Sequence, residues 1–394
     1  MNWPTTSLAD ATELLTDGTH YTPPDIGEGI PFLTVKDVGS NSLDFIGCSK
    51  IAADEYEAAR KQNSAPRFGD VLFSKDGTVG KVHLVQENRP FAVLSSLAIL
   101  RPSKHVDGGY LAHFLRAPST IDAAIKKKTG SAIRRIVLRD LATLEIPLPT
   151  LGEQRRIAAI LDKAEALRRK RKRSIELLEN LIQAAYRRAF IERHSDQWPK
   201  LCVASLARDI RTGPFGSQLL HSEFVDDGIA VLGIDNAVAN EFRWGERRYI
   251  TEEKYDKLRR YTVLPGDVLI TIMGTCGRCA IVPRDIPLAI NTKHLCCITL
   301  DDEKCLPEFL QATFLQHPTV LQQLGVQAKG AVMPGLNMGI IKSLLISLPP
   351  IPIQRKFTAE ISKLRTILVS SKNSQTKGAD LFSALQHRAF SGQL

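Results

Sequence analysis

The sequence has no apolar run long enough for a membrane span, and it has little cysteine. No stretch approaches the ~18 apolar residues that a transmembrane helix needs, and the first residues lack the basic and apolar regions of a signal peptide. Seven cysteines in 394 residues are too few for a disulfide framework, which predicts a chain of the reducing cytoplasm. Apolar residues make up 43% and charged residues 24% of the chain, as expected for roughly two to three globular domains.

The signatures of several enzyme classes are also missing. The nearest approach to a phosphate-binding loop, at residues 75–82, lacks the first glycine and the final hydroxyl residue of that motif. No dinucleotide fingerprint and no His-Glu-x-x-His zinc motif occurs, and the Asn/Asp-Pro-Pro-aromatic tetrapeptide of amino-methyltransferases is absent. We therefore expect no catalytic residues in this chain.

The net charge of +10 is concentrated in two segments. Residues 153–193 hold twelve Lys and Arg against six Asp and Glu, and residues 353–390 hold seven against two. The rest of the chain has 33 basic and 34 acidic residues. Outside the two segments, bulk charge therefore does not attract a polyanion.

An internal repeat of about 200 residues organises the chain. The offset between the copies drifts from 197 to 200 residues, as small loop insertions would produce. The copies share Gly-Asp-Val-Leu at 69–72 and 266–269, Gly-Thr-x-Gly at 77–80 and 274–277, Phe-Leu-x-x-Pro at 114–118 and 314–318, Gly130 and Gly330, Leu-Pro at 148–149 and 348–349, Gln-Arg at 154–155 and 354–355, and Arg-Ala-Phe at 188–190 and 388–390. The Gly-Asp-Val-Leu element is interpreted as a strand that runs into tight glycine turns.

Each copy is expected to contain a β-rich region followed by one long helix. The predicted strands lie between Gly and Pro turns, at 30–35, 71–74 and 91–100, and at 229–234, 268–272 and 296–300. After Leu148-Pro149 the chain runs from Gly152 to Phe190 without Pro or further Gly, which predicts a helix of about 55–60 Å.

The two long helices are predicted to pair as an antiparallel coiled coil, because apolar residues recur at alternating spacings of four and three. The first stripe is Ile157, Leu161, Ala164, Arg168, Arg171, Ile175, Leu178, Ile182, Ala185 and Ala189, and the second is Phe357, Ile361, Leu364, Leu368, Ser371, Gln375, Gly378, Phe382, Leu385 and Ala389. Both stripes are apolar at the ends and polar in the middle. The alternative is two separate amphipathic helices, each lying on its own domain.

A zinc site can be drawn from the cysteines of the second copy, namely Cys276, Cys279, Cys296 and Cys297 with His294. The equivalent positions of the first copy are Val79, Val82, Leu97, Ile99 and Leu100. Small buried cysteines serve at apolar strand positions as well as valine does. We therefore predict no metal site.

These features together resemble the specificity (S) subunit of type I restriction-modification systems. The resemblance covers the whole chain. Its most specific part is the junction motif Ile-Pro-Leu-Pro-Thr-Leu-Gly-Glu-Gln-Arg-Arg-Ile at 146–157, with the Gly130-Ser131 loop upstream. The second junction departs from the family pattern because Ile353 stands where a Glu is usual, so the capping role of that carboxylate is lost there.

The resemblance implies an α+β fold with two similar mixed α/β target recognition domains in tandem, at 1–150 and 193–350. Each domain would read one half of a split sequence in double-stranded DNA. The spacer helices, at 151–192 and 351–394, would pair with pseudo-two-fold symmetry and present the domains to successive major grooves. Because spacer length sets the half-site separation, one heptad inserted in a helix should lengthen the unread gap.

The resemblance also implies the partners and a non-catalytic role. Two DNA methyltransferase subunits would pack against the helices, and restriction and translocase subunits would complete a phage-defence complex. S-adenosylmethionine, ATP and Mg would be held by those partners, where adenine-N6 methylation and cleavage take place. No cofactor, no metal and no membrane is expected to bind this chain.

The candidate DNA-binding residues are mostly cations near glycine turns, which suit phosphate contact and bidentate readout of guanine. They are Lys126, Lys127, Lys128, Gly130, Ser131, Arg134 and Arg135 in the first domain, and Arg243, Arg247, Arg248, Arg259, Arg260, Lys329, Gly330 and Asn337 in the second. The alternative for each is a solvated surface residue.

A run of six adjacent cations stands in the middle of the first helix: Arg168, Arg169, Lys170, Arg171, Lys172 and Arg173. It is expected to face either the DNA backbone or acidic faces of the methyltransferase subunits, since the chain has no compensating acidic run. A solvated helix face is the alternative.

Two other functions are compatible with the same sequence. One is a self-sufficient nuclease or methyltransferase with a degenerate site, against which the missing motifs argue. The other is a DNA-recognition subunit of a different phage-defence complex without type I restriction chemistry.

Overall fold

The computed structural model of the chain describes residues 3–39, 42–126, 136–192, 197–325 and 336–394, with Lys126 described in its backbone only. Two compact units make up the chain: unit 1 consists of Met1–Arg173 with Lys372–Leu394, and unit 2 of Ser174–Ser371. Each unit therefore contains one globular region, the first part of the long helix that follows it, and the last part of the other long helix.

In unit 1 the strands are β1 (Thr5–Ser7), β2 (Thr12–Asp17), β3 (Ile30–Leu33), β4 (Ser49–Ile51), β5 (Val71–Ser74), β6 (Val82–Leu84), β7 (Ala92–Val93), β8 (Leu97–Pro102) and β9 (Glu145–Pro147). The helices are α1 (Leu8–Ala11), α2 (Ala53–Lys61), α3 (Gly108–Arg116), α4 (Pro118–Lys126), α5 (Leu138–Ala142) and α6 (Leu151–Phe190), the last of which continues into unit 2.

The strands of unit 1 form two sheets and a short ribbon. An antiparallel sheet has the order β2-β8-β5-β6, and β3 lies between antiparallel β4 and parallel β7. β1 pairs with β9 and so joins the start of the domain to the segment that leads into α6. The prediction of one strand at 91–100 is wrong, because a turn closed by the bond from Leu97 N–H to the Leu94 carbonyl separates β7 from β8.

Unit 2 repeats this order. Its strands are β10 (Lys200–Cys202), β11 (Ala207–Thr212), β12 (Ile229–Leu232), β13 (Tyr249–Ile250), β14 (Val268–Thr271), β15 (Cys279–Ile281), β16 (Ala289–Asn291), β17 (Leu295–Leu300) and β18 (Leu345–Ser347). Its helices are α7 (Val203–Leu206), α8 (Glu252–Leu258), α9 (Pro307–Gln316), α10 (Pro318–Gln323), α11 (Met338–Ser343) and α12 (Ile351–Phe390), the last of which ends in unit 1. The sheets are β11-β17-β14-β15 and β13-β12-β16, with β10 paired to β18.

Side chains that alternate in direction along each strand are buried on both faces of the four-stranded sheet. In β5, Val71 and Phe73 face a core that also holds Ile157 and Leu161 of α6. Leu72, between them, faces a second core under the three-stranded sheet. The equivalent strand of unit 2, β14, divides its side chains in the same way. The sequence therefore reads as an apolar run, as expected when both faces are covered.

The two long helices run antiparallel within each unit. In unit 1, Arg156 Nη2 donates to the Leu394 carbonyl at 2.9 Å. In unit 2 the rings of Phe190 and Phe357 pack with their centroids 4.9 Å apart. The predicted pairing is present. The helices also bury apolar residues in the domain cores, so each globular region is fixed to both helices.

The predicted stripe on α6 holds in its first half and shifts in its second. Ile157, Leu161 and Ile175 are buried as predicted. Near the end of the helix, the predicted Ile182, Ala185 and Ala189 pack half-buried against the core, but Tyr186 and Phe190, outside the stripe, are buried more completely. An α-helix has 3.6 rather than 3.5 residues per turn, so a straight buried face moves gradually off heptad positions. No helix among the described residues is long and apolar enough to span a bilayer.

Candidate nucleic-acid interface

We call the six cations at 168–173 the basic run. Because they lie on a helix, they form two groups that face different sides of α6. In unit 1, Arg168 Nη1 donates to Glu165 at 2.9 Å, and its guanidinium lies over the ring of Phe382, 4.4 Å from the centroid. Arg171 Nη1 donates to the Ser374 carbonyl at 3.4 Å. These two arginines therefore face α12, as their stripe positions predict.

A glycine of α12 makes room for one of these arginines. A Cβ placed on Gly378 would lie 2.6 Å from Arg171 Nη1. Glycine inside a helix normally costs about 1 kcal/mol relative to alanine. The polar middle of the stripe is thus also a contact between the helices, made by the flexible end of Arg171.

The other cations of the basic run point away from this contact. Arg169, Lys170, Lys172 and Arg173 are exposed. In the part of the chain that the structure describes, Lys172 and Arg173 have no hydrogen bond or ion pair to a protein group. This side of α6 therefore presents positive charge to a polyanion or to an acidic protein surface.

An open cavity of about 650 Å³ lies beside the basic run in unit 1, lined by Val38, Gly39, Gly80, Lys81, Val82, His113, Arg116, Pro118, Glu165, Arg168, Ala379, Phe382, Ser383 and Gln386. Arg116 Nη2 donates to the Val82 carbonyl at 3.2 Å, and burial lowers the pKa of its guanidinium. His113 Nε2 is 2.8 Å from an oxygen of Asp162. Burial lowers the pKa of His113, although the bond to Asp162 acts against this. The cavity wall therefore carries the cations Lys81, Arg116 and Arg168, of which Arg168 is paired with Glu165.

Most of the predicted arginines of unit 2 already have protein partners. Arg243 donates to Glu241 at 3.0 Å, Arg248 to Asp235 at 2.5 Å, Arg259 to Asp256 at 2.8 Å, and Arg260 to the Tyr261 hydroxyl. Arg247 differs from them. Its guanidinium lies over the ring of Trp244, 5.1 Å from the centroid, and it makes no ion pair among the described residues.

The remaining predicted contacts are divided between described and undescribed parts of the chain. Asn337 caps α11, and its side-chain oxygen accepts from Ile340 N–H at 3.0 Å. Outside the described residues lie the side chain of Lys126 and all of Lys127, Lys128, Gly130, Ser131, Arg134, Arg135, Lys329 and Gly330.

One buried glutamine at each junction joins a globular region to its helix. Gln154 Oε1 accepts from Asp107 N–H at 2.8 Å, and its Nε2 donates to the carbonyls of His105 and Pro149, both at 2.9 Å. Gln354 makes the equivalent bonds to Leu306, Lys304 and Pro349, at 2.9, 3.0 and 2.8 Å. Both glutamines are fully buried. The sequence shows them only as part of the repeat, and their bonding role emerges from the fold.

The sequence matches the model of the type I restriction modification DNA specificity domain over residues 3–178 and 231–377. The matched ranges make up most of the chain and fall in both copies of the repeat. The chain belongs to this family. The resemblance carried by the junction motif is thereby confirmed, and with it the role of a DNA-specificity subunit.

Relatives of this specificity-domain family match over most of the chain. The type I restriction enzyme EcoKI specificity subunit of Escherichia coli K12 is 22% identical over 323 residues, which are 75% of this chain and 68% of that protein. The EcoBI specificity subunit of Escherichia coli is 22% identical over 302 residues, 69% of this chain and 63% of that protein. The matches thus span about two thirds of these relatives.

A solved structure confirms the fold of the specificity subunit. The type I restriction-modification S subunit from M. genitalium superposes with a TM-score of 0.61 at 16% identity, over 99% of this chain and 96% of that one. The expected α+β fold, with two mixed α/β domains and two long helices, is confirmed.

The family's junction Glu does not act as the expected helix cap. Arg156 donates to both carboxylate oxygens of Glu153, at 2.9 and 2.7 Å, and this pairing lowers the pKa of Glu153. In the second copy, Ile353 packs against the core instead. The second junction therefore has an apolar contact of Ile353 where the first has a surface ion pair of Glu153. The buried bonds of Gln354 are equivalent to those of Gln154.

Three of the four cysteines considered for a zinc site, Cys279, Cys296 and Cys297, occupy strand positions, whereas Cys276 lies between β14 and β15. Cys279 and Cys296 face one core, while Cys297, next along β17, faces the other. Burial raises the pKa of Cys296 to about 12. Neighbouring residues of a strand point to opposite faces, so Cys296 and Cys297 cannot turn to a common ion. Within the described ranges, no three His, Cys, Asp or Glu side chains form a group suited to a metal.

Proposed function

We propose that this specificity subunit selects the DNA target of a type I restriction-modification complex, with each globular region reading one half of a split sequence. The observation that carries the proposal is the repeated sheet order and junction, which present different surface side chains from one fold. In this proposal the recognition domains are residues 1–150 and 193–350, and the spacer helices are 151–192 and 351–394.

Positive charge supports DNA contact at the domains and on α6. Most of the candidate residues of the two domains are cations or stand beside glycine turns, which allow close approach to a phosphate. In the basic run, Lys172 and Arg173 are exposed and without protein partners in the described part of the chain. We assign phosphate contact to the outward side of the run, because exposed cations suit contact with the DNA backbone.

Exposed apolar side chains on the long helices support docking of methyltransferase subunits. In the described chain these are Leu167, Leu177, Leu181, Ile367, Val369 and Leu381, each at least half exposed. Leu177 and Leu181, four residues apart, lie side by side on one face of α6, and contiguous exposed apolar patches mark protein contacts. The partners, two methyltransferase subunits and the restriction subunits, would supply S-adenosylmethionine, ATP and Mg chemistry in the cytoplasm, and this chain would be non-catalytic alone.

Modification-sensitive sequencing of host DNA tests the proposal directly. Genomes are compared with the gene present, deleted and restored, while the methyltransferase partner stays intact. We expect N6-methyladenine at one split motif to vanish on deletion and return on restoration. The control is deletion of the methyltransferase gene, which should remove the same motif.

Unchanged methylation after deletion would contradict the proposal. The result would then favour a DNA-recognition subunit of another defence complex, because the fold would remain but its chemical partner would differ. A second arm replaces residues 197–350 with those of a relative. Only one half of the split motif should change.

A further inference from the structure

The two globular regions carry equivalent loops before the second strand of their three-stranded sheets. These loops, 42–48 in unit 1 and 241–247 in unit 2, follow short 3-10 turns at Val35–Asp37 and Ile234–Asn236. Ile51 pairs with Ile30, and Ile250 pairs with Ile229, which aligns the loops at an offset of 199. Phe45 and Trp244 therefore occupy the same position.

An arginine stacks on the aromatic ring at this position in both units. Arg89 Cζ lies 4.6 Å from the centroid of Phe45, and Arg247 Cζ lies 5.1 Å from that of Trp244. Each of these rings packs edge-on against a further ring, Phe91 at 5.6 Å and Phe242 at 5.3 Å.

The two arginines come from different parts of the sequence. Arg89 stands between β6 and β7, whereas Arg247 belongs to the loop itself, where unit 1 has Cys48. The same arrangement of ring and guanidinium is thus built twice by different residues.

Both guanidinium groups keep their N–H edges available. Arg89 and Arg247 are exposed, and within the described residues neither has a hydrogen bond or ion pair to a protein acceptor. Stacking holds the plane of a guanidinium without using its N–H groups, so the fork remains free for a planar acceptor. The other predicted arginines of unit 2 lack this property because carboxylate or hydroxyl groups already occupy them.

The bases of these loops are held rigidly. In unit 1, Lys81 Nζ donates to the carbonyls of Val35 and Val38 at 2.8 and 2.7 Å. Val38 also lines the cavity whose wall holds Lys81, Arg116 and the ion pair of Arg168 with Glu165. In unit 2, a Cβ on Gly245 would lie 2.1 Å from Asp235 Oδ2, so the turn after Trp244 is closely packed.

We propose that Arg89 and Arg247 each read a guanine of double-stranded DNA, one in the half-site of each unit. The inference rests on the proposed function and deepens it. Bidentate contact from arginine to guanine O6 and N7 is the commonest specific base contact in the major groove. A stacked guanidinium presents its planar fork to two adjacent acceptors, and the major-groove edge of guanine offers such a pair in O6 and N7.

Lysine variants separate base reading from simple charge. Arg89→Lys and Arg247→Lys keep the charge but lose the planar fork. The matched controls are Arg60→Lys and Arg208→Lys, two exposed arginines whose carboxylate partners are Glu57 and Asp301. Each full-length variant is purified with the methyltransferase subunit, and bound sequences are selected from a library of random DNA duplexes. Thermal unfolding and co-purification verify that each variant folds and assembles.

We expect Arg247→Lys to reduce the preference for G at one position of one half-site by about 10- to 100-fold, and Arg89→Lys to do so in the other half-site. All other positions, and the motif of both controls, should stay the same. An unchanged motif in both lysine variants overturns the inference. So does weaker binding spread evenly over all sequences, which indicates phosphate contact. If the unaltered complex selects no sequence at all, the proposed function fails as well, which distinguishes the two failures.

Discussion

Single buried side chains fix each globular region to its helix. Gln154 and Gln354 each use both the oxygen and the nitrogen of the amide, and both bond backbone groups on two sides of a junction. A buried backbone group that loses its partner carries the full cost of its desolvation. These two residues therefore set the angle at which a helix leaves its domain.

Replacing Gln154 by Leu should destabilise unit 1 by about 2–3 kcal/mol, because the Asp107 N–H and two carbonyls lose their partner. Urea unfolding of the purified chain measures the change. The control is Gln62→Leu, at an exposed position after α2, where a shift within about 0.5 kcal/mol is expected. Equal shifts in both variants would contradict the assigned role.

A half-buried histidine, His317, is expected to make unit 2 less stable in mild acid. Neither ring nitrogen of His317 has a partner in the described structure, and burial lowers the pKa of the ring below its usual 6.5. The unfolded chain therefore binds the proton more readily. The stabilising contribution is complete above the unfolded pKa and is lost as pH falls towards the folded value.

We expect the urea concentration at the unfolding midpoint to decrease as the pH is lowered from about 7.5 to about 5.5. The variant His317→Gln should show a smaller decrease. Part of the decrease should remain in this variant, because the pKa values of His113 and His294 are also lowered. The control is His387→Gln, at an exposed position of α12. A pH profile of His317→Gln identical to that of the unaltered chain would show that this ring does not contribute.

At the scale of elements, the basic run is a helix segment with two different faces. Arg168 and Arg171 belong to the contact with α12, whereas the side of α6 with Lys172 and Arg173 faces outward. A substitution of all six cations would disturb the helix pair together with any DNA contact. The outward cations alone give the sharper test.

Changing Arg169, Lys170, Lys172 and Arg173 to Gln should weaken DNA binding evenly across sequences. The logarithm of the binding constant decreases linearly with the logarithm of the salt concentration. The steepness of this slope should decrease by up to about 3–4, since each phosphate contact contributes about 0.9. Binding of the assembled complex is measured from low to physiological salt. The control changes Lys356, Lys363 and Lys377, exposed cations dispersed along α12, to Gln. Altered specificity at an unchanged slope would argue against backbone contact.

At the scale of the whole molecule, each long helix begins in one unit and ends in the other. Residues 173 and 174 divide α6 between the units, and residues 371 and 372 divide α12. Insertions at these two places leave the helix contacts within each unit intact. The position of the division thus defines where a spacer can be lengthened.

Seven residues inserted after Arg173 and seven after Ser371 should lengthen the unread gap of the target by up to about three base pairs. A heptad adds about 10.5 Å of helix, and one base pair occupies about 3.4 Å. Sequencing of methylated host DNA reports the gap directly. Both half-sites should remain unchanged, because neither globular region is altered. A gap of the original length would contradict a spacer role for the helices.

Much of the fold follows from local patterns along the chain. The repeat, the two long helices and the strands at 71–74 and 268–271 are predicted correctly, because periodic side chains and chain breakers report directly on backbone hydrogen bonding. The division of the strand expected at 91–100 is not predicted, since the turn at Leu94 carries neither Gly nor Pro. The local sign of this turn is only the pair Ser95-Ser96, which favours turns more weakly than Gly or Pro does.

The sequence by itself determined the duplication, the family, the helix pairing and the concentration of charge on α6. Only the tertiary structure decided which cations are available. Arg243 and Arg247 look alike in the sequence, yet one is bound to Glu241 and the other is stacked on Trp244 with its N–H groups free of protein partners in the described chain. Arg89 meets Phe45 from 44 positions away, and the junction glutamines bond distant backbone groups, because long-range packing, and not local periodicity, brings these groups together.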